Sequence, residues 1–214
     1  MTDKLYQISL FSMTLSSLVL AVFSVAYCWR PFNPSYLRSF PIYAWINATV
    51  NVLPLFNHSW TDVSEFFYTI VELIYFTYFL VNLIAGRRAR ILLSGLAVVL
   101  LLYISLHAMR HETTPYMGRL VIFEAFMMCF GSLLYFRELM VRPVITDLSS
   151  NPGFWMVTGI LFYFALEIPC LFFFAYFKFK KNYELASASY SVNNYAQVIN
   201  TVLFIKAMTC LKKR

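Results

Sequence analysis

Three glutamates lie inside long apolar stretches of this 214-residue chain. Glu72 stands in FFYTIVELIYFTYF, Glu124 in LVIFEAFMMCF and Glu167 in ILFYFALEIPCLFFF. A charged side chain at the centre of a bilayer costs about 2.5–3.5 kcal/mol, so such residues usually face the interior of a helix bundle. Carboxyl groups gathered there can exchange protons or bind a cation. These three residues are therefore the first candidates for a functional site.

Tyrosines, amides and a histidine accompany the acids. Tyrosines stand three or four residues from Glu72 and four residues from Glu167, so each group lies on one helix face. Two other stretches carry amides at the same spacing, and a histidine closes a third. We predict one polar pocket lined by Glu72, Glu124, Glu167, Tyr68, Tyr75, Tyr163, Asn47, Asn51, Asn193, Gln197, Asn200 and His107. The simpler interpretation of the amides is that they hydrogen-bond between helices and hold the bundle together.

The composition indicates that the elements carrying these residues are membrane helices. Hydrophobic residues make up 60% of the chain and charged residues only 13%, whereas soluble domains are roughly half apolar and a quarter charged. Apolar runs of about twenty residues recur, which is the length that crosses a bilayer as a helix. No polar stretch is long enough to fold alone. We therefore predict an all-α membrane protein with a single domain over 1–214.

Seven apolar stretches predict a seven-transmembrane-helix bundle. The predicted spans are 8–29, 40–56, 63–85, 91–107, 120–140, 154–177 and 190–211. The span 40–56 is the weakest of them, because Asn47, Asn51 and Pro54 interrupt it. Counted from the side of the amino terminus, the three acids lie roughly 8–16 Å deep at 1.5 Å per residue. They would thus share one depth band in one half of the membrane.

The placement of the basic residues predicts an orientation. The net charge is +7, and most Lys and Arg lie in the loops after 8–29, 63–85 and 120–140 and at the carboxyl terminus. Positively charged loops stay in the cytoplasm, so we predict an outside amino terminus, a cytoplasmic carboxyl terminus and a pocket that opens outward. The sequence KFKK at 178–181 argues against this orientation. Because the positive charge is explained by the membrane topology of the loops, no nucleic-acid partner is expected.

Motifs of known membrane enzymes and metal sites are absent from the sequence. There is no HExxH or GxSxG, and the three histidines stand beside predicted outer loops rather than at ligand spacing within a helix. The four cysteines lack a CxxC spacing and are expected to be buried apolar residues. We therefore expect no catalytic residues, metal or cofactor.

Several segments resemble a group of uncharacterised bacterial, Bacteroidetes-type seven-transmembrane-helix proteins of similar length. The resemblance covers the third to seventh predicted helices, through the segments EFFYTIVELIYFTYFL, FEAFMMCFGSLLYFRELM, NPGFWMVTGILFYF and NNYAQVINTVLFIKA. The matching positions are Tyr68, Glu72, Glu124, Tyr135, Glu138, Pro152, Phe154 and Trp155. The resemblance implies the bacterial cytoplasmic (inner) membrane. Genes of that group often lie near sensor histidine kinase genes, which implies signalling.

Three functions remain open at this point. The first is sensing of a small molecule or cation, or partnership with a membrane signalling protein, through a protein embedded in the lipid bilayer. The second is transport of a small solute, alone or coupled to protons. The third is a membrane enzyme of unrecognised type. The halves of the helices nearer the cytoplasm are almost uninterrupted apolar sequence, which favours sensing over a transport path.

Overall fold

The structure, a computed structural model, describes residues 2–28, 35–56, 61–108, 114–141 and 148–211. Within these ranges every element is helical. The helices are α1 (Thr2–Cys28), α2 (Ser35–Arg38), α3 (Phe40–Phe56), α4 (Thr61–Leu83), α5 (Arg87–Ala108), α6 (Thr114–Val141), α7 (Pro152–Phe179) and α8 (Tyr183–Leu211), with a 3₁₀ turn at Leu148–Ser150. The helix α2 is a single turn, and the other seven correspond to the seven predicted helices.

Six of the long helices form a closed ring. In order around the ring, α1 packs on α3, α3 on α4, α4 on α6, α6 on α7, α7 on α8, and α8 back on α1. The helix α5 lies outside the ring, against α4 and α6. The ring therefore encloses an interior that side chains from six helices share, and α5 contributes little to it.

The two ends of the bundle are defined by two short turns. We call the end at Lys180–Asn182 the α7–α8 end, and the end at Ile84–Gly86 the α4–α5 end. The helices α7 and α8 run antiparallel, with the ring of Phe174 beside that of Tyr190. The helix α1 starts at the α7–α8 end as well, because Ser9 accepts a hydrogen bond from Asn194 Nδ2 at 3.1 Å.

In the described part of the chain, five helices are long and apolar enough to cross a membrane. They are Lys4–Cys28, Phe66–Leu83, Arg87–Leu106, Leu120–Val141 and Pro152–Phe179. Large apolar side chains such as Val99 and Phe123 are more than half exposed on the outside of the bundle, as expected where lipid replaces water. The chain is therefore a multi-pass helical membrane protein. The helix α3, with 17 residues, and the polar helix α8 do not meet the same criteria of length and composition.

The predicted loop at 178–189 is wrong in extent. The helix α7 continues to Phe179 and α8 begins at Tyr183, seven residues before the predicted start at 190. Lys181 adopts a positive φ of 56°, which reverses the chain, and Asn182 Oδ1 accepts the N–H of Leu185 at 3.2 Å. An Asn at the N-cap satisfies a free backbone donor of the first turn, so α8 starts immediately after the reversal.

The turn at the α4–α5 end is held by a carboxylate of another helix. Glu138 on α6 accepts the N–H of Ala85 and the N–H of Gly86, each at 2.7 Å. A methyl group on Gly86 would collide with the same carboxylate, so only glycine allows this approach. Hydrogen bonds to an ionised acceptor are about twice as strong as neutral ones.

Candidate functional site

Two tyrosines hold the carboxyl group of Glu72. Tyr68 donates to Glu72 Oε1 at 2.8 Å, and Tyr43 donates to the same oxygen at 3.1 Å. The two phenol oxygens are themselves 2.9 Å apart. Glu72 is 5% exposed. The helical spacing in α4 aligns Tyr68 with Glu72, whereas Tyr43 comes from α3 and was not among the predicted site residues. Its four-residue step to Asn47 and eight-residue step to Asn51 were the signal that could have identified it.

Tyr75 packs against Tyr43, outside the hydrogen-bonded group of Tyr43, Tyr68 and Glu72. Its ring stacks on that of Tyr43 with a centroid distance of 4.6 Å and an interplanar angle of 9°. Its hydroxyl donates to the backbone carbonyl of Tyr36 at 3.1 Å and so points away from Glu72. Tyr75 therefore fixes the orientation of Tyr43 and does not line the pocket, which corrects its predicted place in the pocket lining.

Three amides form a chain beside the tyrosines. Asn47 Oδ1 accepts from Asn51 Nδ2 at 2.9 Å within α3, and from Gln197 Nε2 of α8 at 3.4 Å. The chain connects two helices that are not neighbours in the ring. The same amides thus serve as interhelical hydrogen-bond partners and bring α8 to the interior surface that Tyr43 occupies.

Glu167 has one partner and one bare oxygen. Tyr163, one turn earlier in α7, donates to Glu167 Oε1 at 3.0 Å. Glu167 Oε2 is buried and has no hydrogen-bond partner among the described residues. Asn193 Oδ1 on α8 is in the same condition. Buried polar atoms in folded proteins usually have a partner, so these two oxygens mark a part of the interior that lacks donors.

Glu124 lies at the same level as Glu72. The parallel helices α4 and α6 are in register at Gly86 and Glu138, which are 52 residues apart in sequence, and the same separation joins Glu72 to Glu124. Glu124 is 1% exposed, and its Oε1 has no partner in the described part of the chain. Tyr163, which donates to Glu167, lines the same cavity as Glu72. The three acids therefore occupy one level of the bundle interior.

A narrow cavity lies among these groups, and we call it the polar chamber. It is lined by Leu20, Tyr43, Asn47, Tyr68, Glu72, Tyr163, Gln197, Asn200, Thr201 and Phe204. The space open to the centre of a water molecule is about 10 Å³, which corresponds to about one water molecule. Asn200 Oδ1 is buried and has no hydrogen-bond partner in the segments that the structure describes, and Gly159 on α7 leaves the room for this amide.

Aromatic side chains fill the ring on the α4–α5 side of the polar chamber. Phe40, Phe76 and Phe204 are fully buried there. Phe40 and Phe204 meet edge to face at 5.5 Å, and Phe76 contacts Phe164 in the same manner at 5.9 Å. The polar residues that line the polar chamber lie toward the α7–α8 end, and these rings separate them from the other end.

The ionisable Asp, Glu, Lys and Arg side chains buried in the described residues are all acidic. Among the side chains that the structure describes, the buried acids are Glu72, Glu124 and Glu167, and no lysine or arginine is buried with them. Lys206, a basic residue near the end of α8, is exposed and lies over the ring of Trp155 at 5.8 Å. The acids therefore have no buried basic side chain in the described residues to compensate their charge.

The predicted site residues thus divide into groups. Those that line the polar chamber are Glu72, Tyr68, Tyr163, Asn47, Gln197 and Asn200. Buried close to it but outside its lining are Glu124, Glu167, Asn193 and Tyr75, while Asn51 contacts it only through Asn47. The side chain of His107 lies outside the described residues. Sequence reasoning missed Tyr43 and Thr201.

Comparison of the chain with protein-family models, with curated proteins and with solved structures found no match. The resemblance to Bacteroidetes-type seven-helix proteins therefore stays a prediction. The function has to be argued from the geometry of the polar chamber and from the charges around it.

Proposed function

We propose that this membrane protein senses a small polar solute or a cation in the polar chamber and passes the bound state to a membrane signalling partner. The observation that carries the proposal is the buried Glu72, which two phenols orient beside a cavity and which no buried basic side chain of the described residues compensates. Intramembrane acids with these properties mark ion, proton or ligand sites.

The proposal includes seven crossings in a bacterial inner membrane, with the amino terminus outside. In this orientation the polar chamber lies in the outer half of the bilayer. The α4–α5 end, where Arg87, Arg88 and Arg90 are exposed, faces the cytoplasm, in agreement with the positive-inside rule. A basic surface at this end suits contact with an acidic partner surface.

Sensing is favoured over transport by the aromatic side chains beside the polar chamber. A transporter needs a path that continues from the binding site to the other side of the membrane. Here Phe40, Phe76 and Phe204 fill the interior of the ring toward the α4–α5 end. A ligand that enters from the α7–α8 end would meet this packed layer, so its binding energy is available to shift the packing of the helices instead.

The test is ligand-dependent stability of the purified protein in lipid nanodiscs. The thermal unfolding midpoint is measured with a panel of alkali chlorides, small protonated amines, amino acids and simple sugars. A ligand at a hundred times its Kd stabilises by about 2.7 kcal/mol, or roughly 5–10 °C for a chain of this size. We expect one class of these compounds to raise the unfolding midpoint of the wild type but not that of Glu72→Gln. The control Glu184→Gln, which changes an exposed acid, should respond like the wild type.

A panel that leaves the wild-type midpoint unchanged would contradict the proposal. Transport is tested in parallel by loading liposomes with the stabilising compound and measuring its release. Release that depends on Glu72 would replace sensing by transport as the function of the same site.

A further inference from the structure

The phenol hydrogens of the three tyrosines that line the polar chamber are already used. Tyr43 and Tyr68 both direct their hydroxyl groups to Glu72. Tyr163 directs its hydroxyl to Glu167. Each phenol has a single hydrogen to donate, so toward the cavity these three side chains can present only oxygen lone pairs.

The amides add further acceptors. Gln197 Nε2 and Asn51 Nδ2 both donate to Asn47 Oδ1. Asn200 Oδ1 accepts nothing in the described part of the chain, although its residue is only 6% exposed. An unpartnered buried oxygen costs about 1–3 kcal/mol. Asn200 Oδ1 and the phenol oxygens therefore favour an occupant that brings positive charge or hydrogen-bond donors.

Charge decides between a cation and a neutral donor such as water. Glu72 lines the polar chamber, and Glu124 and Glu167 are the other buried acids of the described residues. No lysine or arginine is buried within the described residues. A cation would balance the charge of an ionised Glu72 carboxylate in a low-dielectric interior, which a neutral occupant would not do.

Size and ligand type narrow the class of cation. The space for about one water molecule leaves no room for a hydration shell, while Mg²⁺ usually keeps several of its waters and Ca²⁺ takes six to eight oxygen ligands. The lining groups are oxygen ligands, and no group of three His, Cys, Asp or Glu side chains suited to a metal ion exists among the residues that the structure describes. Carbonyl and hydroxyl oxygens with a single lining carboxyl group suit a dehydrated monovalent ion.

We infer that the polar chamber binds one small monovalent cation of the size of Na⁺, with the Glu72 carboxyl and Asn200 Oδ1 among its ligands. The inference rests on the proposed function and names the ligand class of the same site. It also explains why an amide oxygen with no partner among the described residues stands opposite Gly159, since any larger residue would fill the space that this oxygen occupies.

The test compares salts at constant ionic strength. The unfolding midpoint of the protein in nanodiscs is followed while choline chloride is replaced by LiCl, NaCl, KCl or RbCl, and ²³Na NMR line broadening reports binding directly. We expect a saturable rise with NaCl and a smaller one with KCl and RbCl. Asn200→Ala removes one ligand and should weaken the apparent Na⁺ affinity about tenfold or more. Thr201→Val, which removes a lining hydroxyl, should weaken it as well.

The matched control is Asn194→Ala. Asn194 is a buried amide of the same helix, but it bonds to Ser9 between α8 and α1 and does not line the polar chamber. This variant should lose stability and keep the Na⁺ response. Equal midpoints in all salts, or an undiminished response in both Asn200→Ala and Thr201→Val, would overturn the inference. If an amine or a neutral solute stabilises the protein through Glu72 while Na⁺ does not, the sensing proposal holds and the cation assignment fails.

Discussion

Replacing Gly159 by alanine tests the packing around the polar chamber most directly. A methyl group on Gly159 would lie 2.5 Å from Asn200 Oδ1 and 3.0 Å from Phe204 Cε1, well inside ordinary contact at 3.4 Å. Asn200 would have to turn out of its place, or α8 would have to move away from α7. Extra atoms forced into a packed interior cost about 1–3 kcal/mol.

Alanine also has a helix propensity advantage over glycine, which must be separated from the packing cost. That advantage is up to about 1 kcal/mol in a helix interior. Gly95 in α5 provides the control, because a methyl group there would meet nothing within 4 Å. The propensity term is common to both variants. The difference between Gly159→Ala and Gly95→Ala therefore isolates the packing cost, and we expect Gly159→Ala to be less stable by about 1–3 kcal/mol.

The assay is reversible unfolding in mixed micelles with an increasing mole fraction of SDS, followed by far-ultraviolet circular dichroism. Gly131→Ala provides an intermediate case, because its methyl group would meet only the ends of the Leu80 and Leu93 side chains, at 2.9 and 3.2 Å. These flexible ends can move aside. If Gly159→Ala and Gly95→Ala unfold at the same SDS fraction, the close approach of α7 and α8 at the polar chamber is not as described.

Three further predictions concern other parts of the bundle. Glu138→Gln should lower the free energy of unfolding by about 1–3 kcal/mol, since one of the two charge-assisted hydrogen bonds from Glu138 to the α4–α5 turn is lost. Arg137→Gln, at an exposed neighbouring residue, should leave the free energy of unfolding unchanged in the same SDS titration. Tyr43→Phe should cost a similar amount, because the Glu72 carboxyl loses one of its two donors; an unaltered unfolding curve would count against the tyrosine–glutamate group. In a cysteine-free background, single cysteines at Lys181 and Arg88 should react with a membrane-impermeant maleimide from opposite sides of the membrane, and labelling of both from one side would contradict the proposed topology.

Much of the architecture follows from local sequence. Apolar runs of about twenty residues predict membrane helices because the bilayer interior leaves the backbone no other partners than its own. All seven predicted helices are present in the described residues. The common level of Glu72, Glu124 and Glu167 also followed from residue counts, because a helix of 1.5 Å rise per residue converts sequence distance into depth.

The limits of sequence reasoning are seen at Tyr43 and Tyr75. Both are tyrosines in apolar helices, and periodicity placed Tyr75 in line with Glu72. In the structure it is Tyr43 that binds Glu72, while the hydroxyl of Tyr75 donates to the carbonyl of Tyr36. The rotation and crossing of α3 against α4 decide which hydroxyl group reaches Glu72. The helical period of the sequence assigns a residue to a helix face, but it does not say which neighbouring helix that face will contact.

The chain by itself therefore determined the membrane class and the helices, since each depends on hydrophobicity and spacing within one segment, and the depth of the acids in the membrane stays a prediction. Only the tertiary structure decided that α5 stands outside the ring, that Glu138 closes a turn 52 residues away, and that Asn200 Oδ1 lies opposite Gly159 with no partner in the described part of the chain. These features depend on pairs of atoms from different helices. Their separation is set by the packing of side chains between whole helices, which no single segment specifies.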